Sequence, residues 1–424
     1  MEKLEPLTVK IFYSYAQTKA DQPLKGALEK HLTTLARQGQ IVSWSKDNIP
    51  AGSDEILEIS KNLENTDIIL SLISPDFIYL EHESWKKSIE IHKTKGTVIV
   101  PIIIRPILQT KDMFLDLKVL PNNGESISTS SNRETIFVKV AEEIQKIVRI
   151  ILIEKYLRKA EEAISGKQPS KSLIYCEEAI NMDNAVSTSF FIKGNALYSL
   201  KRYKEALESY KKAIELNPKE ATYYDKYGDI LCNNLERYKD AIYAYRISIE
   251  LNPKEPSYHD KIGDILYNYL EVPKDALHEY IQASELNPKE PSYHDKIGGI
   301  LTYYGHYEDA VLAYKRASQL NPQKSSYYFQ IGSILDKWLK RPEEAIDIYK
   351  EASKLNPEEP SYHRRIGDLL FYKLERYAEA VYSYKRASEL NPEEPSYYDL
   401  QAQIYEKLAQ QMRKKAAEIR GGKK

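Results

Sequence analysis

The 424-residue chain carries 61 basic and 62 acidic side chains, a formal net charge of −1, so it is too long for one ordinary core and lacks the cationic excess of a nucleic-acid binder. Its two cysteines, Cys176 and Cys232, stand far apart with no CxxC or Cys/His cluster beside them, which excludes a disulfide framework or a zinc site and points to a reducing, cytoplasmic setting. The most apolar run, residues 98–108, contains Pro101, Arg105 and Pro106 and is far shorter than the roughly 20 residues of a bilayer span, so no membrane contact is expected. In chain order, the opening MEKLEPLTVKIF lacks the basic-then-apolar layout of a signal peptide and runs directly into strand-like sequence. Residues 7–15, 41–44, 68–73 and 98–104 read as β-strands, and 23–38, 53–64 and 83–94 as amphipathic helices between them. Alternation of this kind predicts a parallel sheet covered by helices.

Five phrases follow one another through residues 7–150: KIFYSYAQ (10–17), WSKDNIPAG (44–52), TDIILSLISPDF (66–77), IHKTKGTVIVPIIIRP (91–106) and LKVLPNNGESISTSSNRETIFVKVAEEI (117–144). In this order they resemble the first strand, the loop after the second strand, the third strand with its exit, the third helix with the fourth strand, and the fifth strand with the last helix of bacterial Toll/interleukin receptor (TIR) domains. The resemblance implies a flavodoxin-like α/β domain with a parallel five-stranded sheet. It implies one of two activities: self-association as a signalling scaffold, or cleavage of NAD+ at the nicotinamide–ribose bond, which bacterial members use in defence. NAD+ would then be the substrate, with no cofactor and no metal. That chemistry demands little, because nicotinamide leaves as a neutral ring and one carboxylate near the ribose can stabilise an oxocarbenium-like transition state.

Counting back from Ile89 and His92, the column of the family's catalytic glutamate falls on Ser84, with Glu83 one position earlier. A shortened connection before this helix makes Glu83 the candidate catalytic acid, although one residue rotates a side chain by roughly 100° about a helix. The plain alternative is a first-turn acid that complements the helix dipole. Where the family has Trp-x-Asp, this chain has Trp44-Ser45-Lys46, with Asp47 one step later. Ligands of open α/β sheets sit at the carboxyl ends of the strands, which makes Ser14, Tyr15, Trp44, Asp47 and Ser74 the candidate substrate-binding residues.

Beyond residue 150 the sequence becomes periodic. The prolines of the phrase LNP are Pro218, Pro253, Pro288, Pro322, Pro357 and Pro392, at intervals of 35, 35, 34, 35 and 35. A glycine recurs in each unit (Gly194, Gly228, Gly263, Gly298, Gly332, Gly367), followed by an Ala-x-x-x-Tyr segment such as Ala206 with Tyr210. Small residues let two helices approach, the aromatic fills the space between them, and proline ends the second helix. The pattern resembles the tetratricopeptide repeat (TPR), a helix–turn–helix of about 34 residues. Units fall at 187–220, 221–255, 256–290, 291–324, 325–359 and 360–394, after a degenerate pair at 153–186, and most carry one extra residue between their helices. The plan is therefore a TIR domain at 1–150, an all-α solenoid of about seven helix pairs at 151–394, and a capping helix with a basic tail at 395–424.

The resemblance implies that the first helix of each pair lines a concave face where a protein or peptide partner docks. Asp225, Asp229, Asp260, Asp264 and Asp295 occupy the fifth and ninth places of their units, four apart on one helical face, and are the candidate partner-binding residues. Aspartates that merely keep the surface soluble are the alternative. His259, His294 and His363 stand where the consensus keeps an aromatic, and read as packing residues. Ser165-Gly166-Lys167 lacks the upstream glycine of a phosphate loop. Two functions remain: an NAD+ hydrolase that works when copies cluster through the TIR domain, or a non-catalytic adaptor whose TIR–TIR contact is the signal.

Overall fold

The computed structural model describes residues 6–108, 114, 117–122 and 124–421. The first five residues of the expected leader-free start, Asn123 of the fifth TIR-like phrase and the last three residues of the basic tail lie outside the described residues. The chain divides into two compact units, Met1–Pro218 and Lys219–Lys424.

The first unit opens with strands and helices in alternation: β1 (Val9–Ser14), α1 (Gln22–Arg37), β2 (Ile41–Ser45), α2 (Glu55–Glu64), β3 (Ile68–Ile73), α3 (Pro75–Leu80), α4 (His82–Lys95), β4 (Val98–Ile103) and α5 (Arg133–Ser165). The strands form one parallel sheet in the order β2-β1-β3-β4. Side chains alternate across β1. Ile11, Tyr13 and Tyr15 pack against Leu24, Leu28, Leu32 and Leu35 of α1 and Phe137, Val140 and Ile144 of α5. Phe12 packs on the other face with Ile69, Phe77, Trp85 and Ile91. The leucines of α1 recur three and four apart, which puts all of them on the buried stripe. Beyond that helix Gly39, at φ 69°, makes the left-handed turn toward β2.

Four strands, not five, make up the sheet among the described residues. The place of the expected fifth strand is taken by a single parallel bridge, Ile102 to Leu120. Leu120 donates to Pro101 O and accepts from Ile103 N, both at 2.8 Å. Pro121 follows at once and has no N–H to extend the ladder.

Helix α5 is 33 residues long and runs without interruption through residue 150, the expected end of the first domain. Its first half closes the sheet core down to Val148 and Leu152. Its second half, through Ile153, Tyr156, Leu157 and Ala160, packs with Tyr175, Cys176 and Ala179 of α6 (Pro169–Met182) and Ile192 of α7 (Ser187–Ser199). Helix α8 (Tyr203–Leu216) completes this unit.

The second unit holds α9 (Ala221–Asn233), α10 (Tyr238–Leu251), α11 (Pro256–Asn268), α12 (Pro273–Leu286), α13 (Pro291–Tyr303), α14 (Tyr307–Leu320), α15 (Ser325–Lys337), α16 (Pro342–Leu355), α17 (Pro360–Tyr372), α18 (Tyr377–Leu390) and α19 (Pro395–Gly421). The recurring glycine is where a first helix meets the tyrosine of the second: a Cβ on Gly263 would stand 2.6 Å from Tyr280 Cε1. Each second helix stops at the asparagine of LNP, since the following proline cannot continue the ladder. Helix α19 covers α18 with Tyr397, Leu400, Ile404 and Leu408, after which its side chains are exposed. Both cysteines are buried free thiols, and burial pushes Cys176 up to about 12. No helix among the described residues is long and apolar enough to cross a membrane.

Candidate functional site

The strand order places a switch point between β1 and β3, where connections leave the sheet in opposite directions and where ligands of open α/β sheets bind, beyond the carboxyl ends of the strands. Three small networks occupy this rim. At the first, Tyr15, buried beyond the end of β1, donates to Asp47 Oδ2 at 2.5 Å. Lys25 Nζ of α1 lies 3.0 Å from the same oxygen, and Gln17 Nε2 donates to Oδ1 at 2.9 Å. Burial acts to raise the Asp47 carboxyl, but the hydrogen bonds from Tyr15, Lys25 and Gln17 outweigh it and hold the group down at about 2. Burial, reinforced by Asp47, in turn pushes the Tyr15 phenol well above its usual range.

At the second network Ser74 caps α3, accepting from Phe77 N at 3.0 Å, and donates to the fully buried Asp21 at 2.5 Å. Arg105, leaving β4, bridges Asp21 and Asp76 at 3.0 and 2.6 Å. At the third, the Oγ atoms of Ser14 and Ser84 stand 3.5 Å apart. Glu81, three residues before Ser84, is buried and clasped by Lys46 Nζ at 2.7 and 2.8 Å, which ties the turn after β2 to the start of α4.

The structure thus brings Tyr15 and Asp47 together and sets Ser14 and Ser74 at neighbouring strand ends. Trp44 belongs to the core instead, its ring stacked on Phe12 at 5.4 Å. Glu83 is not gathered with any of them. Its side chain is 85 % exposed, bonded to Lys86 at 3.0 Å and 3.6 Å from His82, and the Lys86 bond holds its carboxyl below the usual value. The buried stripe of α4 runs through Trp85, Ser88 and Ile91, which turns Ser84 inward and Glu83 out. Sequence reasoning missed Glu81, Lys46, Asp21 and Arg105. Glu81 precedes Trp85 by four and Ser88 by seven, a spacing that marks it as inward-facing. The cavity lined by Thr66, Asp67, Lys95, Lys155 and Arg158, of 340 Å³, lies at the opposite, amino-terminal edge of the strands.

On the repeats, the five candidate aspartates are engaged by lysines. Lys261 of α11 reaches back to Asp225 Oδ1 at 2.5 Å and Asp229 Oδ1 at 2.7 Å on α9. Lys296 of α13 does the same to Asp260 and Asp264 of α11 at 2.6 and 2.7 Å, and Lys324 meets Asp295 at 3.2 Å. Tyrosines of the second helices complete the ladder: Tyr245 donates to Asp229 at 2.9 Å and Tyr280 to Asp264 at 2.7 Å. Lys261 and Lys296 also sit over those tyrosine rings, at 5.2 and 4.9 Å. The missed signal is the lysine at the sixth place of the following unit, Lys261 and Lys296, with Lys324 just before α15 serving Asp295. His259 packs through Glu279, its Nδ1 2.7 Å from the carboxylate.

Two matches to the family described as Tetratricopeptide repeat cover residues 188–220 and 339–395. An uncharacterized protein, y4lF, of Sinorhizobium fredii is 32% identical over 139 residues, covering 32% of this chain and 42% of its own length. Tetratricopeptide repeat protein 12 of Homo sapiens is 29% identical over 108 residues, covering 26% of this chain and 15% of its own length. The chain therefore spans less than half the length of either curated relative. Among solved structures, YrrB, described as a TPR protein with an unusual peptide-binding site, superposes with a TM-score of 0.38 at 23% identity over 43% of this chain and 92% of that one. Tetratricopeptide repeats are present in this chain, and the work such repeats suggest is protein–protein interaction or scaffolding.

Proposed function

We propose that the chain is an interaction protein in which the repeats hold a protein or peptide partner and the N-terminal domain, read as TIR-like, acts by self-association when copies gather. The observation that carries the first half is the regular array of helix pairs, matched to tetratricopeptide repeats at residues 188–220 and 339–395. The second half is supported by where the five TIR-like phrases fall: on β1, on the turn after β2, on β3 with the cap of α3, on α4 with β4, and from the Leu120 bridge into α5. Sedimentation of the full chain over a range of concentrations tests it. Concentration-dependent assembly that is lost when the 46–54 loop is replaced by Gly-Ser sequence is the expected result, and a strictly monomeric species overturns the self-association.

NAD+ cleavage is the second reading. What favours it is that Asp47 follows β2, and the Ser14–Ser84 and Lys46–Glu81 pairs stand after the carboxyl ends of neighbouring strands, the side on which a nucleotide would lie. The exposure of Glu83 weighs against that residue as the stabilising carboxylate. Incubating concentrated protein with NAD+ and following nicotinamide release decides the matter. Release that is spared by Glu83→Ala and Glu90→Ala but abolished by Glu81→Gln supports the enzyme at this rim, and no release at any concentration leaves the scaffold.

A further inference from the structure

Two apolar faces of this chain lie open to solvent, and the charges beside them are opposite. The first is a groove of 440 Å³ in the first unit, lined by Ile150, Ile153 and Leu157 of α5 and by Val186 and Ile192 at α7. Ile150 is 57 % exposed. Glu154, Glu161 and Asp183 line the same groove, with Arg158 the base among them. Asp183 has Arg149 at 3.7 Å. Glu154 and Glu161 are exposed, and the ion pairs of this stretch, Lys155 with Asp67 and Lys159 with Glu162, leave them out. Acids thus edge an apolar stripe along one face of α5.

The second face is the end of α19. Its stripe of Tyr397, Leu400, Ile404 and Leu408 is packed, and the same stripe continues through Met412, Ala416 and Ile419, three and four apart. Nothing among the described residues covers this continuation: Met412 is 73 % and Ile419 60 % exposed. At about 100° per residue, Arg413 and Arg420 fall together on one flank of the stripe and Lys415 on the other, while Glu418 falls on the far face. From 409 to 421 the helix carries four bases and one acid. So short a stretch of helix is marginal in water without packing.

We propose that the basic end of α19 of one copy docks in the acid-edged groove of a second copy of this chain. Met412 and Ile419 enter beside Ile150 and Leu157, and Arg413 and Arg420 meet Glu154 and Glu161. The spacing matches throughout: each of these four pairs, two on α5 and two on α19, stands seven residues apart, so both apolar and both charged contacts form in one register. Charge selects this occupant over a second copy of the same tail, whose bases would repel. Because unlike faces meet, the contact repeats from copy to copy and builds rings or open chains. Two turns of helix in one groove make a small contact, which reinforces an assembly already under way and is weak alone. It goes beyond the loop contact proposed above and does not need it.

The test is disulfide trapping in the full chain. Chains carrying Ile150→Cys and chains carrying Ile419→Cys are mixed under oxidised glutathione, with the two buried native thiols left in place and the unsubstituted chain as the blank. Covalent dimer in the mixture at about ten-fold the yield of either variant alone is the expected result. Arg413→Glu with Arg420→Glu in the tail chain should cut that yield about ten-fold, and Glu154→Lys with Glu161→Lys in the groove chain should then restore it. All four positions are exposed; where circular dichroism shows lost helix, glutamine at the same positions replaces the reversals. Dimer from the Ile419→Cys chain alone means that tails pair with tails. A cross-link found only within single chains that carry both cysteines means that the tail folds back. Binding to phosphatidylserine vesicles that the arginine changes abolish, with no cross-link, means that the tail meets an anionic lipid surface. Each of these overturns the proposal, as does a yield indifferent to the charges. The cross-link should persist at raised concentration in the chain whose 46–54 loop is replaced, so that failure of loop-driven assembly and failure of this contact are read separately.

Discussion

Two tyrosines at equivalent places behave differently because of one residue opposite each. Tyr280 donates to Asp264 at 2.7 Å, while Tyr349, equally buried, has Ser333 at the corresponding place and no carboxylate to receive its proton. Removing the hydroxyl should therefore have unequal effects. Tyr280→Phe strips a half-buried aspartate of a donor and should cost about 1 kcal/mol, and Tyr349→Phe removes no bond to a carboxylate and should change stability by less than about 0.5 kcal/mol, both read from urea unfolding of the full chain. A second residue-scale case is Asp47, whose carboxyl sits at about 2 in the fold and near about 4 in an unfolded chain. A depressed acid stabilises the fold above its unfolded value and loses that contribution as pH falls through the folded one. Thermal midpoints should thus decline from pH about 4 toward about 2, and Asp47→Asn should lower the neutral-pH midpoint while flattening that decline. An unchanged acid profile in the variant would remove Asp47 from the account.

At the scale of elements, the turns between paired helices place non-glycine residues in the left-handed region, among them Glu236, Glu271, Lys340 and Glu375 at φ of 53 to 54°, whereas the shorter turn after α13 uses Gly305 at φ 81°. Glu271→Gly should relieve that strain and raise stability by about 1 kcal/mol. The opposite change at a packing glycine should hurt. In Gly263→Ala the new Cβ meets Tyr280 Cε1 at 2.6 Å, and the overpacking should cost about 2 kcal/mol in the same urea assay. These elements also show what could be read in advance. The LNP period marks helix ends because a proline's missing N–H acts locally, and the strands 68–73 and 98–103 are legible because apolar runs between turn signals have few other uses. The helical phase of α4 was not legible. Whether Glu81, Glu83 or Ser84 faces the sheet depends on where the helix starts after Leu80, and one residue of start turns a side chain by roughly 100°. The lysine ladder escaped for a related reason: its partners lie 32 to 36 residues apart, and only stacked repeats bring them together.

At the scale of the molecule, sequence character changes near residue 150 but the architecture does not break there. Helix α5 passes through that point with Leu152, 1 % exposed, still in the sheet core. Three residues on, Lys155 donates to Thr8 O at 2.9 Å and pairs with Asp67 at 2.6 Å, pinning the helix across the amino-terminal edge of the strands. The next turns carry the apolar face that α6 and α7 cover. A piece ending at residue 150 would lose Leu152 and Lys155, and one ending at 166 would leave Ile153, Leu157 and Ala160 uncovered. The compact unit that holds both clusters ends at Pro218. Loss of a buried leucine alone costs about 3 kcal/mol, which for a domain of this size lowers a melting midpoint by roughly 10 °C. Fragments 1–150 and 1–218, melted side by side and followed by circular dichroism, should differ by at least that much, with the longer one unfolding in a single transition. Equal midpoints would mean that the sheet domain ends where its sequence signature does and that the rest of α5 contributes nothing to it.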